Sequence, residues 1–351
     1  MNHLHISKLD PLKLDSFFEK FPSYNMDSQV KPLLCVLEEL VAKNTSDSFS
    51  ENESHAATRD IGMILSALRK LGVQACEQVA GLGDLLVQLS KKTKMVPRDT
   101  SYHYGPWNPT GARERRFTKF SDEDGLINAV RVAIPGIEEA ITVLNSLRLC
   151  PLESPEFTSL SLKASEGLNH AVIGIGETIR KTDPYVFSHE LRPFFDPVIV
   201  NGTSYIGAGG GQIPLFVVDL LLWGSELNKS SLYAKFIQES IPYLPKHLQD
   251  LCFSIIGSPS LVKIAATSLN KNSDKQRVQV ASTESIRLIL KTLIKFRKPH
   301  YQLAKKTLSA KNRGAYKTGS AGYTNELTSE ALKLTLDADD KLAAIVSVNG
   351  K

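Results

Sequence analysis

Cysteine is scarce in this chain: Cys35, Cys76, Cys150 and Cys252 are dispersed, with no CxxC pair and no metal-finger spacing. That argues against a disulfide framework or a zinc module and leaves four reduced thiols expected in the core. Long apolar runs are missing too. The longest, Ile213 to Trp223, is interrupted by Asp219 and is too short to cross a bilayer. Met1 to Asp10 has no apolar stretch of signal-peptide length, so a cytoplasmic protein with no membrane partner is expected. GxSxG, HExxH, Walker, CxxCH and paired-carboxylate motifs are all absent, which sets aside most hydrolase, kinase and zinc-enzyme chemistry. Acidic residues are absent from 285–325, where Arg287, Lys291, Lys295, Arg297, Lys298, Lys305, Lys306, Lys311, Arg313 and Lys317 are basic. Either these are solvated or paired across the fold, or an anion compensates them. Nucleic acid is a poor fit, because the chain carries only +5 and the stretch has neither interleaved aromatics nor a known binding motif.

What remains is an ordinary soluble composition, 42% hydrophobic and 23% charged over 351 residues, enough for a large core. Apolar residues recur with helical period nearly everywhere: Val30–Lys43, Thr58–Leu71, Gly81–Ser90, Asp124–Leu149, Thr158–Arg180 and Ser231–Ile256 read as helices, with 44–52 a polar loop. One segment differs. Val198 to Ile206 alternates β-formers around Asn201-Gly202, the preferred residues of a type I′ hairpin turn. The fold expected is therefore all-α with a minor hairpin near 198–206. The Pro-rich, aromatic segment Tyr102 to Thr110 marks a boundary between a small N-terminal helical domain, 1–110, and a larger helical domain, 111–351.

The chemistry centres on His300. Ile286, Ile289, Leu293, Phe296, His300, Leu303 and Thr307 follow at spacings of three or four, so the imidazole shares an apolar face. Pro299 removes a backbone donor and is expected to kink the helix and free a carbonyl near the ring. A hydrogen-bonded core histidine fits this placement; so does a neutral imidazole prepared to ligate heme iron. Arg297, one turn earlier on a similar face, could clamp a propionate. Asp219, amid Leu215, Val218, Leu220, Leu222 and Trp223, should be paired, since an isolated buried carboxylate is costly, and Arg297 is the partner expected.

Three further stretches carry alternatives. Gly207-Ala-Gly209-Gly210-Gly211-Gln212 could let a flat ligand approach the backbone or could be a tight turn; its spacing departs from GxGxxG and no βαβ pattern surrounds it. Arg192, in Phe187-Ser-His-Glu-Leu-Arg192-Pro-Phe-Phe-Asp196, could bind a ligand carboxylate or pair with Glu190 or Asp196, while His189 is expected to be exposed. Thr318-Gly-Ser320-Ala-Gly-Tyr323 could offer backbone donors and a hydroxyl, or be a flexible turn.

Taken in order, Arg59-Asp-Ile-Gly, Trp107-Asn-Pro-Thr, Glu190-Leu-Arg-Pro-Phe-Phe, Ser204-Tyr-Ile-Gly, Pro214-Leu-Phe-Val, Leu222-Trp-Gly-Ser, Phe296-Arg-Lys-Pro-His and Gly319-Ser-Ala-Gly-Tyr resemble the histidine-ligated heme dioxygenase superfamily. That superfamily holds indoleamine and tryptophan 2,3-dioxygenases and the monodechloroaminopyrrolnitrin synthases, which rearrange 7-chlorotryptophan; the likeness to the last runs from about Arg59 to the C-terminus. The resemblance implies heme b (iron protoporphyrin IX) with His300 as proximal ligand and an Arg297–Asp219 pair beside a propionate. It places Gly209, Gly210 and Gly211 against the distal heme face, and Arg192 on the carboxylate of an amino-acid substrate. Phe187 would wall an indole pocket, and Ser320 would supply the hydroxyl of a glycine-rich loop, where Ala321 departs from the pattern by replacing a glycine. The activity implied is oxidation or oxidative rearrangement of L-tryptophan or a halogenated tryptophan such as 7-chlorotryptophan, with dioxygen and an electron donor as further partners. Simple dioxygenation to N-formylkynurenine, or binding of indole amino acids without turnover, are the alternatives.

Overall fold

The computed structural model describes residues 3–43, 46–209, 212–225, 227–228, 230–268, 276–309, 311–319 and 322–349. About 73% of the described residues are helical, and the strands Val198–Val200 and Thr203–Tyr205 form an antiparallel hairpin pairing Val198 with Tyr205 and Val200 with Thr203. Asn201 and Gly202 sit at φ 46° and 78°, the left-handed pair that a type I′ turn needs. The all-α expectation and the hairpin are both met.

Four long helices make the larger core: Ser121–Leu149, Glu156–Lys181, Gln276–Thr307 and Asn325–Asn349. The first two lie antiparallel and close, because small residues face each other along the seam. A Cβ added at Gly167 would stand 2.6 Å from the Gly136 carbonyl oxygen, and one at Gly174 would stand 2.8 Å from that of Ala129. A second buried cluster gathers the helices Asp15–Met26, Val30–Lys43, Glu51–Lys70 and Leu82–Thr93 with Phe194, Phe195 and one face of the hairpin.

Helix boundaries follow local chemistry. The Glu51–Lys70 helix starts before the expected Thr58 because Ser50 and Glu53 form a capping box, Ser50 N–H donating to Glu53 Oε2 at 2.8 Å and Glu53 N–H to Ser50 Oγ at 3.3 Å. The continuous helix expected over 231–256 is instead Leu232–Ser240, a 3₁₀ turn Ile241–Tyr243 and Lys246–Ile255; Pro242 and Pro245 interrupt it. The apolar stretch 213–223 is a short helix, Leu215–Asp219, that widens into a π turn, Leu220–Gly224.

Within the segment 102–110, Tyr102, His103, Trp107 and Asn108 are all buried. The Arg59 Nη1–H donates to the Trp107 carbonyl at 3.0 Å, and its Nε–H to Asp60 at 2.7 Å. Asp60 also accepts from Arg115 at 3.2 Å. Two side-chain expectations are corrected. Only Cys252 of the four thiols is buried, Cys35 being exposed on its helix surface. His189 is half-buried, because its ring stacks on Tyr185 at 3.9 Å between centroids and Nδ1 lies 3.0 Å from the Tyr185 carbonyl.

Candidate functional site

A cavity of about 310 Å³ opens between the long helices, within the roughly 300–1,000 Å³ of ligand pockets. One wall is the small-residue seam, contributing Ala129, Ala133, Ala171 and Gly174; the opposite wall is the 276–307 helix, contributing Phe296, Arg297, His300, Leu303 and Thr307. Phe187, Phe216, Tyr233 and Phe236 close the sides. The second half of the inward stripe expected from spacing, Phe296 to Thr307, is thus cavity wall, while Ile286, Ile289 and Leu293 are buried in the packed core.

His300 faces this space. Its ring stacks on Phe296, with centroids 5.2 Å apart at 26°, and makes no hydrogen bond with a described residue. Burial, aided by the nearby Arg297 cation, lowers its pKa to about 4, so the imidazole is neutral at physiological pH. The expected kink is not seen as a break: the helix runs from Gln276 through Pro299 to Thr307. The missing N–H of proline costs one ladder bond, which the flanking turns of a 32-residue helix tolerate.

Arg297 and Asp219 form the expected ion pair, Arg297 Nη2–H donating to Asp219 Oδ2. The sequence did not single out the third member, Tyr233, whose hydroxyl donates to the same carboxylate oxygen. Burial pushes the Asp219 carboxyl up while Arg297 and Tyr233 oppose that shift, and Asp219 in turn holds the Arg297 guanidinium charged. Asp219 Oδ1, Arg297 Nε and Trp223 Nε1 are buried without a protein partner, so this corner retains polar capacity for a ligand or water.

At the other end, Phe187 lines the cavity from a π turn, Phe187–Leu191. Arg192 follows it and is engaged with protein, Nη1–H to Asp196 at 2.8 Å and Nη2–H to the Gly319 carbonyl at 3.1 Å. Its guanidinium lies 4.3 Å from the Tyr316 ring centre, and the Tyr316 hydroxyl donates to Asp196 at 3.1 Å. Of the two partners considered for Arg192, Asp196 is the one found. Arg192 Nε remains buried and unpartnered. Gly209 is buried in the loop after the hairpin, and Gly210, Gly211, Ser320 and Ala321 lie outside the described residues. The loop is anchored by Gln212, another residue without a sequence signal: its amide donates to the Gly207 carbonyl at 2.6 Å and accepts from Ser101 N–H at 3.0 Å.

The basic stretch divides cleanly. Arg287 pairs with Glu284 and Asp339, both at 2.8 Å, and Arg297 with Asp219. Lys291, Lys295, Lys298, Lys305, Lys306, Lys311, Arg313 and Lys317 are exposed and have no acidic partner among the described residues.

The family model described as monodechloroaminopyrrolnitrin synthase PrnB matches residues 2–346. The chain belongs to the monodechloroaminopyrrolnitrin synthase family. The match takes in the N-terminal helices before Arg59, where the motif resemblance began. Monodechloroaminopyrrolnitrin synthases are heme-dependent oxidoreductases that act on tryptophan derivatives, with heme b as cofactor and dioxygen as co-substrate. The cavity fits a heme: a neutral imidazole with no competing hydrogen bond faces apolar walls, and a cation with an unpartnered Nε–H stands one turn away. Among the described residues no helix is long and apolar enough to cross a membrane.

Proposed function

We propose that His300 would ligate the iron of heme b and that the cavity between the 276–307 helix and the seam of the 121–149 and 156–181 helices would hold both heme and an indole amino acid. The observation carrying this reading is the half-buried, neutral imidazole that lines the cavity beside the Arg297–Asp219–Tyr233 network. In it, Arg297 would neutralise a propionate, Asp219 and Tyr233 would hold the guanidinium in place, and Gly209, Gly210 and Gly211 would be cofactor-contacting residues. Phe187 packs on the indole. Arg192 takes the substrate carboxylate, using the Nε–H that has no protein partner, while Asp196 and the Gly319 carbonyl fix its fork; Ser320 adds a hydroxyl.

Bound heme, once reduced by an electron donor, supplies the redox chemistry with dioxygen. The protein contributes placement and the exclusion of water, with no acid–base residue assigned to the chemical step. The favoured substrate is a halogenated tryptophan such as 7-chlorotryptophan, or L-tryptophan itself. The protein acts in the cytoplasm, with 1–110 a small helical domain bracing the heme-binding domain 111–351.

His300→Ala tests the assignment. The variant should lose most of its heme and its Soret band, and exogenous imidazole should restore both; wild-type heme content and spectrum would refute it. Product analysis with tryptophan and with 7-chlorotryptophan then separates rearrangement from N-formylkynurenine formation and from binding without turnover.

A further inference from the structure

We infer that the outward face of the 276–307 helix is the docking surface for an acidic one-electron donor protein that reduces the ferric heme. The inference rests on the His300 assignment.

Leu288, Lys291, Lys295, Lys298, Gln302 and Lys305 recur at spacings of three or four, so they form one stripe. It faces away from the Ile289–Leu293–Phe296–His300 stripe that lines the core. All six residues are exposed, Leu288 by 38%, and Lys306 in the last turn with Lys311, Arg313 and Lys317 beyond it extends the positive field past the helix end. A solvated surface helix normally intersperses acidic residues with lysines to form local pairs. Here none of these cations has an acidic partner among the described residues, and no acidic residue occurs over 285–325. Leaving that field uncompensated has a cost in self-repulsion, which a recurrent anionic partner offsets.

The position of the stripe favours a redox donor over other anions. His300 lies on the inward side of the same helix, so the surface and the axial imidazole are separated by about one helix width, roughly 10–12 Å. No other route is needed for the electron: the donor loses one electron and the ferric iron gains one. Electron-transfer encounters are small and weak, and charge steering raises their association rates by roughly 10–10³. One helix face with a single apolar residue, Leu288, suits such an encounter.

The test uses heme-loaded protein, a reduced acidic [2Fe–2S] ferredoxin as probe and the variant Lys295→Glu/Lys298→Glu/Lys305→Glu. Stopped-flow reduction of the wild type should slow as salt rises, since exposed charges are screened within roughly 8 Å at 0.15 M ionic strength. The variant should be reduced at least tenfold more slowly at low salt and should lose calorimetrically detected ferredoxin binding. Its Soret band and its reduction by dithionite should match wild type. Reduction of both proteins at one rate, or no reduction of the wild type by ferredoxin, would overturn the inference. So would loss of binding to phosphatidylglycerol vesicles or duplex DNA in the variant with ferredoxin binding intact, which would assign the face to a membrane or nucleic acid. Failure of the His300 assignment would show separately, as an unchanged heme spectrum in His300→Ala.

Discussion

The Asp219–Arg297–Tyr233 network offers the sharpest energetic test. Both charged members and the tyrosine are buried, and Asp219 Oδ2 receives both donors while Oδ1 has none. Tyr233→Phe removes one hydrogen bond to a charged group and preserves the ring that stacks on Phe236 at 5.6 Å; a loss of roughly 1.5–3 kcal/mol is expected. Arg297→Gln leaves the carboxylate facing apolar surroundings with only the tyrosine, and should cost about 3–5 kcal/mol. Asp219→Asn in the Arg297→Gln background removes the stranded charge as well, so the double variant should be destabilised by less than the sum of the single changes. Urea denaturation of the heme-free proteins gives the four corners of the cycle. Strict additivity would mean that Asp219 and Arg297 do not interact in solution, and the proposed propionate corner would fall with it.

His55 is buried with neither ring nitrogen hydrogen-bonded to protein, and burial lowers its pKa from 6.5 to about 4. The unfolded chain therefore takes up a proton that the folded one refuses, and stability should fall by about 3 kcal/mol as pH drops from 6.5 to 4. His55→Phe, which keeps a ring against Trp107 at 4.4 Å, should shrink that acid loss; an unchanged melting temperature difference between pH 7 and pH 4.5 would contradict the burial argument. Gly167→Val should destabilise by roughly 1–3 kcal/mol or more, because its Cβ meets the Gly136 carbonyl at 2.6 Å, whereas Gly176→Ala, with open space around it, should be neutral or stabilising. If Arg192 holds a carboxylate, wild type should bind tryptophan about ten- to a hundredfold more tightly than tryptamine. Arg192→Leu should erase the preference without loss of heme, and full discrimination by that variant would place the carboxylate elsewhere.

Helical periodicity identified the architecture, and the Asn-Gly pair identified its exception, because both signals are local. Periodicity also set His300 on the cavity wall, and an acid in an apolar run demanded the partner that Arg297 supplies. The partners that come from distant sequence were not legible. Tyr233 lies fourteen residues beyond Asp219, across a loop, and Gln212 closes its loop through Ser101, 111 residues away; neither carries a pattern that forecasts the contact. Arg192 shows the same limit from the other side, since Asp196 is local but the Gly319 carbonyl is not. The Ser50-x-x-Glu53 signature, by contrast, was present in the sequence and should have moved the helix start to Glu51.

The glycine–alanine seam has a consequence for how this pocket can change. Ala129, Ala133, Ala171 and Gly174 form one wall, and each already carries the smallest side chain its place allows or nearly so. Apart from alanine-to-glycine changes, which free only a methyl group, mutation there narrows the pocket, and at Gly174 it would also force two backbones apart. If the proposed indole site is here, most broadening of the accepted ring, toward bulkier substituents or a different halogen position, has to come from the other lining residues, Phe187, Phe216, Phe236 and Leu303, where truncation makes room. Divergence in substrate choice among such pockets should therefore be one-sided, with a conserved-size floor of helix backbone and a variable aromatic ceiling.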